Sequence, residues 1–530
     1  MLLGDEAVAK AGMDAGISGI YAYPGTPSTE IMEYVQTSGQ ASDGGIFCQW
    51  SANEKTAMEA ALGMSFTGKR AMVCMKHVGL NVAADPFMNS AVTGINGGLI
   101  LVVADDPSMH SSQNEQDSRY YGKFAMIPVI EPSNQQEAYD MVFHGFELSE
   151  KYRLPVMLRL TTRLSHSRSS VKPENALSQK ELSLPEDPRQ FVLLPAIARK
   201  RYKYLLSVQD ALEKESEDSP YNTITEGTDK SVGFIACGLA YNYLMEVMVR
   251  EGLDHPVLKV TQYPLPGILI GKITGDCDSV IVLEEGYPFL EEMLRGFPVT
   301  DKRIRGRLDG TLPRDGELNP DHVAKAIGIT VKEGPAVPAV IKNRPPSFCA
   351  GCGHIDMFNA LLEAIDDFGP GRVFSDIGCY TLGALEPFNA INSCVDMGAS
   401  VTMAKGAADA GLHPSVCVIG DSTFTHSGMT GLLDAVNDKS SITVLIGDNS
   451  TTGMTGGQKS SATGRIESIC AGIGVLPERI RVIEPLRKNH SRNVEIIKEE
   501  LEYKGVSVVI ARRECIQVAT KSRKQEKKHK

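Results

Sequence analysis

Several things missing from this 530-residue sequence narrow what it can be. It has no surplus of positive charge: 54 Lys and Arg face 65 Asp and Glu, net −11, so no basic face is available for a nucleic acid. The one basic run, 521–530, reads as a solvated tail. No apolar stretch approaches the roughly 18 residues that span a bilayer. The start, Met1-Leu2-Leu3-Gly4-Asp5-Glu6, has no basic region followed by an apolar one, so no secretory signal is expected. Eleven cysteines are too sparse for a disulfide scaffold; a cytoplasmic address would leave them as reduced thiols, core residues or metal ligands. No short-period repeat is evident.

The remainder has the profile of a globular protein, 42% hydrophobic and 22% charged, and its length suits three α/β domains. Up to about Arg168 a pattern repeats: a short apolar run, a Gly/Pro-rich loop, then an amphipathic stretch. The runs Ile17 to Tyr23, Ala71 to Met75, Leu99 to Ala104 and Pro155 to Leu160 predict a parallel sheet wrapped by helices. Ligands bind at the carboxyl ends of such strands, which singles out the loops 24–28, 76–81 and 105–116. Residues 169–230 are polar and irregular, with one charged helical stretch over 199–217, and read as a connector. A small α/β block over 231–311 has strands at Val232–Ala236, Val257–Val260 and Val280–Leu283. A Pro/Gly-rich linker over 312–346 precedes a last α/β domain over 347–515, and 516–530 is the expected disordered tail.

Three groups of residues carry chemistry. Val416-Cys417-Val418-Ile419-Gly420-Asp421-Ser422 and Ile442-Thr443-Val444-Leu445-Ile446-Gly447-Asp448-Asn449 each read as a buried strand ending in an oxygen ligand. Asp421 and Asn449 lie 28 positions apart, room for one crossover, so both should emerge on one sheet edge. A carboxylate, an amide oxygen and a backbone carbonyl suit Mg²⁺. Gly420 admits close backbone approach, and a helix after His426 could aim its N-terminus at an anion; an ordinary βα loop is the plainer reading. Glu54 follows Ser51 at a helix start, the spacing of a capping box; a carboxylate in an apolar setting is also suited to proton transfer. Cys349-Ala350-Gly351-Cys352 could be half a zinc site, a redox dithiol or chance. Cys379 and Cys515 both follow strands, and Cys417, mid-strand, reads as core.

The loop Thr451-Thr452-Gly453-Met454-Thr455-Gly456-Gly457-Gln458 resembles that of the indolepyruvate ferredoxin oxidoreductase large subunits, in the 2-oxoacid:ferredoxin oxidoreductase superfamily. So do Tyr23-Pro24-Gly25-Thr26-Pro27-Ser28, the run from Met75 to Pro86 and Ser111-Ser112-Gln113-Asn114-Glu115-Gln116, polar loops with no packing reason to recur. The resemblance runs from Leu3 to Cys515. It implies two thiamine-diphosphate-binding doubly wound sheets, pyrimidine-type over 1–168 and diphosphate-type over 347–515, with a smaller transketolase-C-terminal-like domain between. By the same resemblance Asp421, Asn449 and the Thr451 carbonyl hold Mg²⁺, with Gly353, His354, Gly398, Gly420, Ser422, Gly453 and Met454 against the cofactor. Glu54 then activates the cofactor, Thr26 touches the oxoacid, and Lys76 and His77 contact its carboxylate. Cys349, Cys352, Cys379 and Cys515, with Cys394 the alternative fourth ligand, would hold one four-iron, four-sulfur cluster.

The activity implied is oxidative decarboxylation of aryl pyruvates to aryl-acetyl-coenzyme A. A smaller beta subunit and a ferredoxin or other electron-carrier subunit would be partners, in a dimer of heterodimers. Two departures qualify it. Ser422 stands where the thiamine fingerprint has glycine, and no ferredoxin-like domain with Cys-rich motifs follows Cys515, so either a partner subunit would supply the onward carrier or the acceptor differs. A non-redox thiamine decarboxylase or carboligase, and a cofactor-binding scaffold with structural zinc, are the competing readings. No motif reports which oxoacid side chain is accepted.

Overall fold

The computed structural model describes residues 1–296, 303–313, 316–331, 334, 338, 340–341, 347–394, 397–409 and 412–521. Much of the expected linker over 312–346 and residues 522–530 of the expected tail lie outside them. The chain divides into two compact units, Met1–Pro335 and Ala336–Lys530. Among the described residues no helix is long and apolar enough to cross a membrane.

The first unit contains a seven-stranded sheet. Its order is Gln262–Tyr263, Val129–Ile130, Val156–Thr161, Leu99–Asp105, Ala71–Lys76, Gly19–Ala22 and Phe47–Trp50. Every pairing is parallel except that of Gln262–Tyr263. Leu99–Asp105 and Ala71–Lys76 are buried throughout, the continuous apolar run that a strand covered on both faces requires. The strand order reverses between Gly19–Ala22 and Ala71–Lys76, so a crevice opens where the loops at 24–28 and 76–81 leave the sheet.

A second sheet in this unit runs Arg303–Arg305, Ser279–Leu283, Gly233–Cys237, Val257–Val260 and Thr223–Thr225, the last antiparallel. Thr223–Thr225 lies inside the stretch read as connector, and Gln262–Tyr263 carries the chain back to edge the first sheet. The charged helical stretch is two helices, Pro195–Ser207 and Gln209–Glu217, because the Gln209 side chain donates to the Leu205 carbonyl at 2.8 Å and closes the first of them.

The second unit has a six-stranded parallel sheet in the order Ser393–Cys394, Val373–Ser375, Ser415–Gly420, Ile442–Asp448, Val506–Arg512 and Ile480–Ile483. The reversal falls between Val373–Ser375 and Ser415–Gly420. Helices cover both faces, with one core around Phe358, Leu361 and Val509 and another around Phe424, Leu432 and Val508. Residues 516–521 are helical where a loose tail is expected, with the Ala519 amide donating to the Cys515 carbonyl at 2.9 Å.

Candidate functional site

In the second unit Gly420 and Gly447 pair in register at the ends of neighbouring strands, so Asp421 and Asn449 leave the same sheet edge. The helix that follows begins at Asp421, with Gly420 extended as its cap, and not after His426: a carboxylate at the first helical position is favoured by the free amides there. His426 lies instead in a π-turn over Phe424–Gly428. Asp421 is 2% exposed and its Oδ2 has no hydrogen-bond partner. Burial pushes its pKa to about 7; Ser460 pulls down and Asp448 pushes up. Asp448 differs: its Oδ2 accepts from Arg512 Nε at 2.6 Å. The unpaired carboxylate oxygen is thus the one the fingerprint names.

The surrounding backbone is shaped for close approach. A Cβ on Gly420 would stand 2.6 Å from the Tyr380 ring, and one on Gly447 3.0 Å from His354 Nε2. Gly398, at φ +94°, donates its amide to Asp376 Oδ2 at 3.2 Å. Asn449 Oδ1 accepts from the Thr451 amide at 3.1 Å, and Ser422 Oγ meets Thr452 Oγ1 at 3.0 Å. Met454 is 61% exposed. Asp376, Tyr380 and Ser400 are the residues that sequence reasoning missed here. Asp376 is fully buried, accepts from Tyr380 and from Ser400 Oγ (2.5 Å), and is raised to about 7 by burial. Its place at the end of strand Val373–Ser375 was a usable signal.

Cys349, Cys352, Cys379 and Cys515 line one cavity with Gly353, His354, Gly447, Asp448, Asn449 and Gly453. A Cβ on Gly453 would lie 3.0 Å from Cys379 Sγ. Burial, then the neighbouring Cys352, Cys515 and Cys349, pushes the Cys379 thiol up to about 12. Among the described residues, no three of these sulfurs lie within 4.8 Å of one another. Cys394 is exposed and points its thiol at the Asp376 carbonyl, 3.6 Å away, and Cys417 is fully buried.

In the first unit Glu54, Thr26, Lys76 and His77 gather where the loops leave the sheet. Glu54 is 5% exposed. It is not Ser51's capping partner: Asn53 caps this helix, accepting from the Thr56 amide at 2.8 Å. Gly79 makes room for Glu54, since a Cβ there would stand 2.6 Å from Oε1. Lys76 donates to the Ser111 carbonyl at 3.0 Å, and Ser111 Oγ donates to the Thr26 carbonyl at 3.2 Å. Burial lowers Lys76 to about 8 against the pull of Asp106 and Glu54, so it stays cationic at neutral pH. His77 is buried, with Nε2 3.2 Å from the Asn114 carbonyl and Nδ1 unpartnered; burial lowers its pKa. A pocket beside His77 is lined by Tyr120, Tyr121 and Tyr287, which no motif flagged.

Residues 10–209 match the family described as "Pyruvate flavodoxin/ferredoxin oxidoreductase, thiamine diP-bdg", and residues 376–510 match "Thiamine pyrophosphate enzyme, C-terminal TPP binding domain". The chain is 42% identical to "Indolepyruvate oxidoreductase subunit IorA" of Archaeoglobus fulgidus, over 99% of this chain and 88% of that one. It is 39% identical to the protein of the same name from Methanothermobacter thermautotrophicus, over 97% and 86%. Among solved structures it is similar to a 2-oxoglutarate:ferredoxin oxidoreductase from Magnetococcus marinus, at TM-score 0.49 and 17% identity, covering 62% of this chain and 64% of that one.

Proposed function

Because this chain belongs to the indolepyruvate oxidoreductase subunit IorA family, and is thereby a thiamine-diphosphate-dependent 2-oxoacid oxidoreductase, we propose that it oxidatively decarboxylates aryl pyruvates, releasing CO₂ and an aryl-acetyl-coenzyme A. The observation that carries this reading is the convergence of four thiols on a cavity that also contains Asn449. Four thiolates are the ligand set of a four-iron, four-sulfur cluster. When bound, thiamine diphosphate supplies the nucleophilic carbon for decarboxylation and the cluster a one-electron sink.

The chain's own residues bind and orient. The bare Oδ2 of Asp421, with Asn449 and the Thr451 carbonyl, suits Mg²⁺, and the glycines at 420, 447 and 453 leave room for a diphosphate. Glu54 exchanges a proton with the aminopyrimidine ring. The Lys76 ammonium, with His77, fixes the oxoacid carboxylate, and Thr26 bonds the keto oxygen. The rings of Tyr120, Tyr121 and Tyr287 offer an aryl side chain flat apolar contact. A smaller second subunit and a ferredoxin-type acceptor complete the proposed enzyme, in the cytoplasm.

The test is metal content. Coproduced with its partner subunit and purified without oxygen, the wild type should hold about four more iron and about four more sulfide per chain than Cys379→Ser. Aryl pyruvate with coenzyme A should then give a reduced-cluster EPR signal in the wild type only. Zinc in place of that iron, or no metal beyond Mg²⁺, would leave a non-redox thiamine enzyme.

A further inference from the structure

Asp5, Glu30 and His166 form a cluster in the first unit that takes no part in the chemistry above. Asp5 lies in the first turn of helix Gly4–Asp14, Glu30 is the second residue of helix Thr29–Thr37, and His166 ends the short helix Thr162–His166. Close packing brings them together: a Cβ on Gly4 would stand 2.3 Å from the Leu164 carbonyl oxygen, so only glycine lets the first helix press onto that segment. One donor atom from each of the three residues lies within 4.8 Å of the other two. His166 Nε2 and Glu30 Oε2 are 3.6 Å apart, beyond hydrogen-bond reach.

Asp5 is 0% exposed, and neither of its carboxylate oxygens has a hydrogen-bond partner. The Ser165 hydroxyl stands beside it without a bond of acceptable geometry, and Glu30 Oε2, also buried, accepts no hydrogen bond and faces only the His166 ring at 3.6 Å. A buried carboxylate without partners, as at Asp5, costs several kcal/mol unless something offsets it. Among the described residues, Asp5 alone has both carboxylate oxygens in this condition.

We propose that Asp5, Glu30 and His166 bind a divalent transition-metal cation of the Mn²⁺ or Zn²⁺ class. Two carboxylates and an imidazole are a mixed oxygen and nitrogen set, which selects such ions over Mg²⁺ or Ca²⁺. Three protein ligands leave positions for water. The Glu30 and His166 side chains are each 36% exposed, so the ion has an entry path while Asp5 forms the floor. The site joins three helices, one of which begins just past the loop that holds Thr26, so its role is to fix that loop's position.

The anaerobic enzyme with its partner subunit is first loaded with thiamine diphosphate and Mg²⁺, which fills the all-oxygen site of the second unit. Mn²⁺ is then titrated in, with free Mn²⁺ counted by EPR and coordinated nitrogen detected by pulsed EPR. The expected result is one further Mn²⁺ per chain at micromolar concentration, carrying an imidazole nitrogen coupling. His166→Ala should abolish that coupling, and Glu30→Gln should weaken binding by at least about tenfold. Both replaced side chains are part-exposed, and circular dichroism verifies folding. Nitrogen-coupled Mn²⁺ that is absent, appears only at millimolar metal, or survives both substitutions overturns the proposal. Absence is the outcome if Asp5 simply carries a proton.

Discussion

Gly79→Ala tests the role given to Glu54 without touching Glu54. The new Cβ would stand 2.6 Å from Glu54 Oε1, 2.7 Å from its Cγ and 2.9 Å from its Cδ. Carbon atoms pack at about 3.5 Å or more, so the carboxylate must retreat by roughly 0.8 Å. A displacement of about 1 Å at a reacting group costs on the order of 10²-fold in rate. Stability should fall by up to about 3 kcal/mol, since alanine favours the helix His77–Val82 by at most about 1 kcal/mol against roughly 1–3 kcal/mol of overpacking. The assay is deuterium exchange at the cofactor's C2 position, followed by NMR on the anaerobic holoenzyme, which isolates activation from electron transfer. Exchange should slow about 10²-fold in Gly79→Ala and further in Glu54→Gln, while cofactor affinity, measured by calorimetry, stays within about tenfold. Wild-type exchange in both variants would refute the assignment of Glu54.

Other outcomes follow from the same geometry. Cys515→Ser should lower iron per chain and remove the cluster signal, whereas Cys394→Ser, whose thiol faces the Asp376 carbonyl, should retain both; iron and sulfide analysis decides. The Asp421 pKa rises from 3.8 to about 7 on burial, so the metal-free fold takes up a proton and loses stability as pH climbs through that window. Asp421→Asn should therefore raise the melting temperature of metal-free protein at pH 8, by up to about 4 kcal/mol in stability, with little change at pH 4, while abolishing Mg²⁺-dependent cofactor binding. Tyr121→Ala should raise KM for aryl pyruvates about 3- to 10-fold, the worth of one aromatic contact, with pyruvate itself unaffected in steady-state assays.

Legibility in the sequence tracked how local each cause was. Leu99–Asp105 and Ile442–Asp448 are uninterrupted apolar runs, and burial on both faces leaves such a run few alternatives to a central parallel strand. Thr223–Thr225 and Gln262–Tyr263 have too few residues for a pattern; their strand character comes from the neighbours they pair with. Ser51 and Asn53 are both competent caps before Glu54, and only the chain's path chooses Asn53. Asp421 and Asn449 were readable because one crossover puts them on one edge. The strand-end positions of Cys379 and Cys515 pointed to one sheet edge, but their grouping with the Cys-x-x-Cys pair as one ligand set was supplied by family resemblance, since separation along the chain says nothing of a shared cavity. Tyr380 lies only four residues past Asp376, but Ser400 reaches it from 24 residues away, on the helix beyond another strand, so no local window contains the whole group.

The two cation readings draw strength from what the rest of the molecule does with buried acid. In the first unit Arg159 Nε bonds Asp105 Oδ2 at 2.6 Å and its Nη1 bonds Glu131. Arg119 reaches Asp117 at 2.5 Å and Glu284 at 2.8 Å. In the second, Arg512 engages Asp448, which follows Gly447, the strand partner of the Gly420 that precedes the bare Asp421. At these positions the fold supplies a guanidinium, and at the buried Asp376 it supplies Tyr380, Ser400 and the Gly398 amide, because an unpaired buried charge is more costly than a paired one. Asp421 and Asp5 are given no guanidinium, although arginine is available to this fold elsewhere. A carboxylate kept bare at that cost is explained by an ion that arrives after folding, and the Asp421→Asn melting curve measures that cost directly: no gain at pH 8 would mean that Asp421 is satisfied by the protein alone, and the same argument would then fail for Asp5.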